Sequence, residues 1–230
     1  MHQLREARSV FNPETRRNLR DEHALNVVLA GALGESSNAI DIGANQGAVL
    51  DAIVRVAPNG RHMAFEPIPT LHDELVAKFP QVDIRRVALS DSSGTAEFVH
   101  VINDEAFSGL KQREDLPSSA VERISVQTER LDDLLDNGYA PTLIKIDVEG
   151  AELSVMKGAV ETLQRHRPHV VFEHGQGGAD IYGATPGELF DLLASARLRI
   201  FDLDGEGPYS RGRFEDTFTQ PIWNFLASPS

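Results

Sequence analysis

The feature that most constrains this chain is a run of alternating strand-like and helix-like segments between residues 38 and 89. Residues 38–42 are a short apolar run ending in Asp-Ile-Gly. Val49, Ala52, Ile53, Val56 and Ala57 follow helical spacing, and Pro58-Asn59-Gly60 stops them. Residues 61–66 read as a second strand, Leu71, Leu75 and Phe79 as the next helix, and residues 82–89 as a third strand. Three strands joined by two helices within about 50 residues force parallel pairing, with the helices as crossovers. That is the mononucleotide-binding half of a doubly wound fold, whose ligands sit outside the carboxyl ends of the strands.

The second half repeats the rhythm. Residues 94–101 and 121–128 read as additional strands around a long polar loop, 102–120, and residues 131–136 as a short helix. Residues 142–148 form a fourth core strand. Met156, Ala159, Val160 and Leu163 mark a helix closed by Arg165-His166-Arg167 and Pro168. Residues 169–173 are a fifth strand, and Thr185-Pro186-Gly187-Glu188 is a capping box with Pro at the first helical position. Residues 197–203 and 217–227 supply the last two strands. Before the first strand, Leu25, Val28, Leu29, Ala32 and Leu33 mark an amphipathic helix. The expected architecture is α/β: a Rossmann-like, seven-stranded, mostly parallel sheet with helices on both faces. A helical extension, residues 1–34, precedes the domain, residues 35–230. That helix could cover the sheet or join a second subunit in a homodimer.

Charge narrows the partners. The 230 residues carry 22 Lys and Arg against 35 Asp and Glu, a formal net charge of −13. Phosphate backbones and anionic membrane surfaces are held by clustered cations, so neither nucleic acid nor membrane is an expected partner. A small polar or cationic ligand remains compatible. Cysteine is absent, which excludes disulfides, a thiolate nucleophile and a Cys-based zinc site. No apolar run approaches about 18 residues and the polar N-terminus has no apolar leader core, so a soluble cytoplasmic protein is expected.

Five motifs stand at predicted strand ends. Asp41-Ile42-Gly43-Ala44-Asn45-Gln46-Gly47 joins a strand to a helix, the context in which a glycine motif carries meaning. A pyrophosphate would want free N–H groups without an acid beside them, so Asp41 suits a cationic ligand better. An ordinary tight turn explains the same glycines. Glu66 ends the second strand, where doubly wound folds place an acid on ribose hydroxyls; a solvated loop acid is the bland reading. Ala88-Leu89-Ser90-Asp91 ends the third strand and could border an adenine ring, or simply form a turn. Lys145-Ile146-Asp147-Val148-Glu149-Gly150-Ala151-Glu152 sets three acids at the end of the fourth strand, Glu149 and Glu152 also serving as helix N-terminal charges. Lys145 lies in an apolar run and needs a partner. Phe172-Glu173-His174-Gly175 adds an acid and a histidine at the end of the fifth strand; a lone His is commonly structural, but beside Glu173 it is a candidate base.

Together DIGANQG, AFEPIP, ALSD, KIDVEGAE and LSVMKGA resemble the FkbM-type methyltransferases, within the class I, S-adenosylmethionine-dependent group. The resemblance covers residues 38–174. It implies a seven-stranded sheet whose last strand is antiparallel, with S-adenosylmethionine as cofactor. It implies that Gly43, Ala44, Asn45 and Gly47 surround the methionine part above Asp41, that Glu66 and Pro67 meet the ribose, and that Ala88, Leu89 and Asp91 border the adenine. Asp147 borders the same cofactor. The acceptor it implies is a hydroxyl of a sugar, polyketide or related natural product.

A hydroxyl nucleophile must be held in line with the methyl group and lose its proton. His174 is the first choice of base, oriented by Glu173 or Asp147, with Glu149 nearby. A rival assignment puts Mg²⁺ on Asp147, Glu149 and Glu173. Loops 102–120 and 175–187 could close over the acceptor. Two other classes share parts of the pattern. A NAD-dependent oxidoreductase would share the βαβ frame and Glu66, but G-x-G-x-x-G and Tyr-x-x-x-Lys are both missing. The other is a non-catalytic cofactor-binding protein or partner subunit, against which the intact acids at both strand ends argue only mildly.

Overall fold

The computed structural model describes residues 13–101, 108–111, 121–220 and 222–229. The first half runs α1 (Pro13–Ala32), β1 (Ala39–Ile42), α2 (Ala48–Val56), β2 (Met63–Phe65), α3 (Pro69–Lys78), β3 (Asp83–Arg85), β4 (Ala88–Leu89) and β5 (Gly94–Val101). It continues with β6 (Val121–Glu129), α4 (Leu131–Leu134), β7 (Leu143–Ile146), α5 (Glu152–Lys157), α6 (Val160–His166) and β8 (His169–Glu173). A 3₁₀ turn (Ala179–Tyr182), α7 (Pro186–Ser195), β9 (Leu198–Asp202), α8 (Arg211–Thr217) and β10 (Asn224–Pro229) complete it.

The main sheet has seven strands in the order β3-β2-β1-β7-β8-β10-β9. The first five are mutually parallel, and β10 runs antiparallel to both β8 and β9. β1 and β7 are buried at every residue, as near-continuous apolar strands are when helices cover both faces. The order reverses between β1 and β7, and the carboxyl ends there form the crevice of an open α/β sheet. The largest core cluster joins Ile40, Ile144, Val170, Phe172, Phe214 and Phe225 beneath α5 to α8.

The N-terminal helix covers the sheet. Leu29 and Leu33 are buried against Ala52 and Ile53 of α2 and Leu143 of β7. Among the described residues no helix is long and apolar enough to cross a membrane.

Three expectations change. Residues 82–89 are two strands. Only Asp83–Arg85 extends the main sheet, and Ala88–Leu89 pairs with β6 in a separate three-stranded sheet, β4-β6-β5. That step lets Ala88 pack against Phe98 and Val126. The helix expected through Met156 and Leu163 breaks at Gly158 and Ala159, because Asp132 of α4 caps α6. Its carboxylate accepts from the backbone N–H groups of Glu161 (3.0 Å) and Thr162 (2.9 Å) and from the Thr162 hydroxyl (2.7 Å). Residues 217–227 are not one strand. Ser210 caps α8, whose buried residues are Phe214 and Thr217, and the strand begins only at Asn224. Asp202, the last residue of β9, is buried and accepts from the Tyr209 hydroxyl (2.9 Å) and the Glu206 N–H (2.8 Å).

Candidate active site

The turn after β1 holds three left-handed residues, Gly43 (φ 78°), Asn45 (φ 47°) and Gly47 (φ 78°). The N–H groups of Gly43 and Ala44 donate to the Phe65 carbonyl of β2, which draws the turn across the strand ends. A Cβ on Gly43 would overlap the Asp147 carbonyl oxygen, so this strand-to-strand approach requires glycine. Gly47 sits against the Leu75 and Phe79 side chains and starts α2.

Glu66, 4 % exposed, is fastened into this turn. Its carboxylate accepts from the N–H of Asn45 (2.9 Å) and of Ile68 (2.9 Å), joining the glycine turn to the start of α3. A cavity opens above. Gly43, Asn45, Glu66, Pro67, Ala88, Leu89, Asp147 and Glu149 line it together with Ser108 and Leu110. Its apolar wall is Phe65, Ile68, Leu71, Val87 and Phe98. Ala88 and Leu89 were expected here; Phe98 of the small sheet was not, and Ser108 and Leu110 belong to the loop expected over the acceptor, not at the cofactor. The Pro67-Ile68-Pro69 sequence was the one available signal for Ile68. Of the residues expected at the cofactor, Asp41, Ala44 and Gly47 are not among those lining it. Asp91 is exposed outside it and accepts from the hydroxyls of Ser90 (3.4 Å) and Ser92 (3.2 Å).

Asp41 is 1 % exposed, and its Oδ2 has no hydrogen-bond partner. Burial pushes its pKa up to about 7; the Lys145 ammonium opposes this, while the Asp147 and Glu66 carboxylates add to it. The sheet register sets Asp41 beside Lys145. Lys145 is buried and donates to Asp147 Oδ2 at 3.0 Å. Burial lowers the Lys145 pKa, but Asp147 and Asp41 outweigh it and hold the ammonium charged.

Beyond β7 the chain turns sharply through Glu149 (φ 56°) and Gly150 (φ 102°). A non-glycine residue in this region is uncommon, and such strain clusters at functional sites. The buried Glu152 carboxylate holds the turn by accepting from the N–H groups of Val148 (3.2 Å) and Gly150 (3.1 Å), and burial raises its pKa to about 7. The 108–111 segment is docked here too: the Lys111 N–H donates to the Tyr182 hydroxyl at 2.9 Å. The rest of the expected lid, 102–107 and 112–120, lies outside the described residues.

Asp147, Glu149 and Glu173 converge, with carboxylate oxygens within 4.8 Å of one another. They line a second, roomier cavity, of about 620 Å³, whose other walls include Asp21, Glu22 and Leu25 of α1, residues 175–179, Trp223 and Asn224. Asp147 and Glu149 therefore face both cavities. His174 also lines the second cavity but is 3 % exposed, stacked on Phe214 (5.7 Å) and tilted against Phe218 (5.2 Å). Neither ring nitrogen has a hydrogen-bond partner, so the expected orienting bond from Glu173 or Asp147 is not formed. Burial lowers the His174 pKa to about 4.

Strand order, glycine turn, strand-end acids and apolar slot together define the frame of a class I methyltransferase. Methyltransferase FkbM from Methylobacillus flagellatus shares this fold, with a TM-score of 0.54 and 18 % identity over 85 % of this chain and 44 % of that one. The profile of the methyltransferase FkbM domain matches residues 41–200, and the chain belongs to that family. Similar proteins include the hexuronic acid methyltransferase AglP of Haloferax volcanii, 31 % identical over 59 % of this chain and 53 % of that protein. The 2-O-methyltransferase NoeI of Sinorhizobium fredii is 30 % identical over 56 % of this chain and 59 % of its own length. The methyltransferase sdnD of Sordaria araneosa is 29 % identical over 53 % and 60 %. The chain thus spans less than two thirds of these relatives. Family and fold imply S-adenosylmethionine as cofactor. The residues present fit it: a buried Asp41 oxygen without a hydrogen-bond partner, a cavity lined at its polar side by Gly43, Asn45 and Glu66, and an apolar wall for a flat ring.

Proposed function

We propose that this protein is an S-adenosylmethionine-dependent O-methyltransferase acting on a hydroxyl of a sugar or a related hydroxylated natural product. The observation that carries this reading is the pair of cavities meeting at Asp147 and Glu149. The first is the cofactor side. Gly43, Asn45 and Glu66 hold its polar end, and Ile68, Ala88, Leu89 and Phe98 hold the adenine. The second is the acceptor side. When bound, the cofactor supplies a methyl group already made electrophilic by its sulfonium. The chain's own task is to seat the hydroxyl at the junction and take its proton. The relatives named for hexuronic acid and 2-O methylation support a sugar-like acceptor.

Glu149 and Glu173 are the proton acceptors in this reading, and Asp147 sets their junction while ion-paired to Lys145. His174 stays neutral and positions the β8 end through its aromatic packing. A second reading has a specific support: three carboxylates within 4.8 Å could hold Mg²⁺, which would lower the pKa of a bound hydroxyl. Lys145 already holds one Asp147 oxygen, which favours direct proton transfer.

A panel of hydroxylated acceptors, assayed for S-adenosylhomocysteine release, tests the function. Turnover on at least one sugar is expected, reduced at least 100-fold in Glu149→Gln and Glu173→Gln with product affinity kept within threefold. No turnover on any hydroxylated acceptor would refute it. Loss of activity in EDTA, restored by Mg²⁺, would replace the direct base by the metal reading.

A further inference from the structure

The two cavities differ in where their walls come from. The cofactor side is built within residues 41–200, the segment matched by the family. The second cavity borrows Asp21, Glu22 and Leu25 from α1 and Trp223 and Asn224 from the C-terminal strand region, all outside that segment. Asn224 donates to Asp21 Oδ2 at 3.1 Å, which ties the helix to β10 across the cavity mouth.

The second cavity's chemistry is one-sided. Among the described residues the lining carries Asp21, Glu22, Asp147, Glu149, Glu152 and Glu173. The only lining ammonium is Lys145, 4 % exposed and already paired with Asp147. His174, the other basic side chain there, is buried with its ring packed on Phe214 and Phe218 and with two nitrogens that have no hydrogen-bond partner. Trp223 completes the wall: its indole packs over Gly175, where a Cβ would collide with the ring, and it is 36 % exposed. Acid and aromatic surface together attract a cation, and an anion brought there meets like charge in a cavity of reduced dielectric.

Resting on the reading of this cavity as the acceptor side, we infer that the acceptor carries a cationic group beside its hydroxyls, as an amino sugar does. A uronate is rejected. This chain would therefore differ in acceptor from its relative named for hexuronic acid.

Trp223 is the only tryptophan in the sequence, so its fluorescence reports this cavity alone. Glucosamine, glucose and glucuronate, titrated into the intact protein at low salt, present one ring with an ammonium, a hydroxyl or a carboxylate. Glucosamine is expected to perturb the emission with an apparent Kd at least tenfold below glucose, and glucuronate to bind weakest. Glu22→Gln, an exposed position on α1 outside the proposed proton-transfer group, should reduce the glucosamine preference at least threefold, as should 0.5 M NaCl. Equal affinities, a preference for glucuronate, no response to any of the three, or an unchanged preference in Glu22→Gln would each overturn the inference. S-adenosylhomocysteine release, followed on the same three sugars and the wider acceptor panel, separates the two claims. The expected binding order without release on any acceptor would retain the cationic selectivity and sink the methyl-transfer reading. Release from glucuronate at the highest kcat/KM would do the reverse.

Discussion

At the level of single residues, the site depends on what cannot be added or neutralised. Gly43 has no room for a methyl group, since a Cβ there meets the Asp147 carbonyl oxygen, part of the backbone and unable to swing away. Its φ of 78° adds a conformational penalty of about 1 kcal/mol for any L residue. Gly43→Ala should therefore push β1 and β7 apart at their ends. Calorimetry should find S-adenosylhomocysteine binding weakened at least 100-fold, with a lower melting temperature. Gly47→Ala meets only the Leu75 and Phe79 side chains and should lose less than tenfold. The glycines and strand-end acids were legible in the sequence because each sits where a strand pattern gives way to a helix. The roles of Asp41 and His174 were only half legible. Sequence puts an acid and a histidine near the site, but it does not say that Asp41 is sealed behind the turn. Nor does it say that His174 is boxed between Phe214 and Phe218, whose distance along the chain hides them.

At the level of elements, the parallel strands and their crossover helices follow from periodicity, because burial on both faces leaves an unbroken apolar run that few other structures tolerate. What periodicity missed were elements defined by partners from elsewhere. α6 is separate from α5 because Asp132, 29 residues before Glu161, satisfies its first N–H groups. Asp132→Ala should cost about 1–3 kcal/mol, toward the upper end because two backbone donors and one hydroxyl lose their partner together. Chemical denaturation would show this as a lower midpoint at unchanged slope. The small sheet was missed for a related reason. Ala88 and Leu89 look like the end of β3 until β5 and β6 are in place to receive them. α1 was legible through the helical spacing of Leu25, Val28, Leu29, Ala32 and Leu33, all of which join one cluster. Leu29→Ala should cost about 2–4 kcal/mol, since the side chain is fully buried against α2 and β7. If that variant unfolds at the wild-type midpoint, α1 is not part of the cooperative unit and the division at residue 34 is a division of stability as well.

For the molecule as a whole, the net charge of −13 is not spread evenly: Asp41, Glu66, Asp147, Glu149, Glu152 and Glu173 gather at one edge of one sheet. Holding them there costs stability, and Asp41 shows how the cost connects to function. Its folded pKa of about 7 lies above its ordinary value of 3.8 because burial disfavours the charge. An acid with a raised folded pKa binds its proton more tightly in the folded state. Its penalty is absent below about pH 4, grows as pH rises, and is complete above about pH 7. Asp41→Asn, of the same shape and without the charge, should gain on the wild-type protein across that interval, by about 4 kcal/mol at the upper end. Denaturation of both proteins from pH 5 to pH 8 measures the difference directly, and a constant difference would refute the assignment. The same titration predicts the ligand behaviour. A cationic amino group held near Asp41 favours its ionised form and expels a proton on binding. Wild-type affinity for S-adenosylhomocysteine should therefore rise several-fold from pH 6 to pH 8. Calorimetry in buffers of different ionisation enthalpy should detect proton release that declines toward pH 8. Asp41→Asn should bind more weakly at pH 8, with a flat profile and no proton release. The molecule would then give up stability at Asp41 in its empty state and regain it when the ligand arrives.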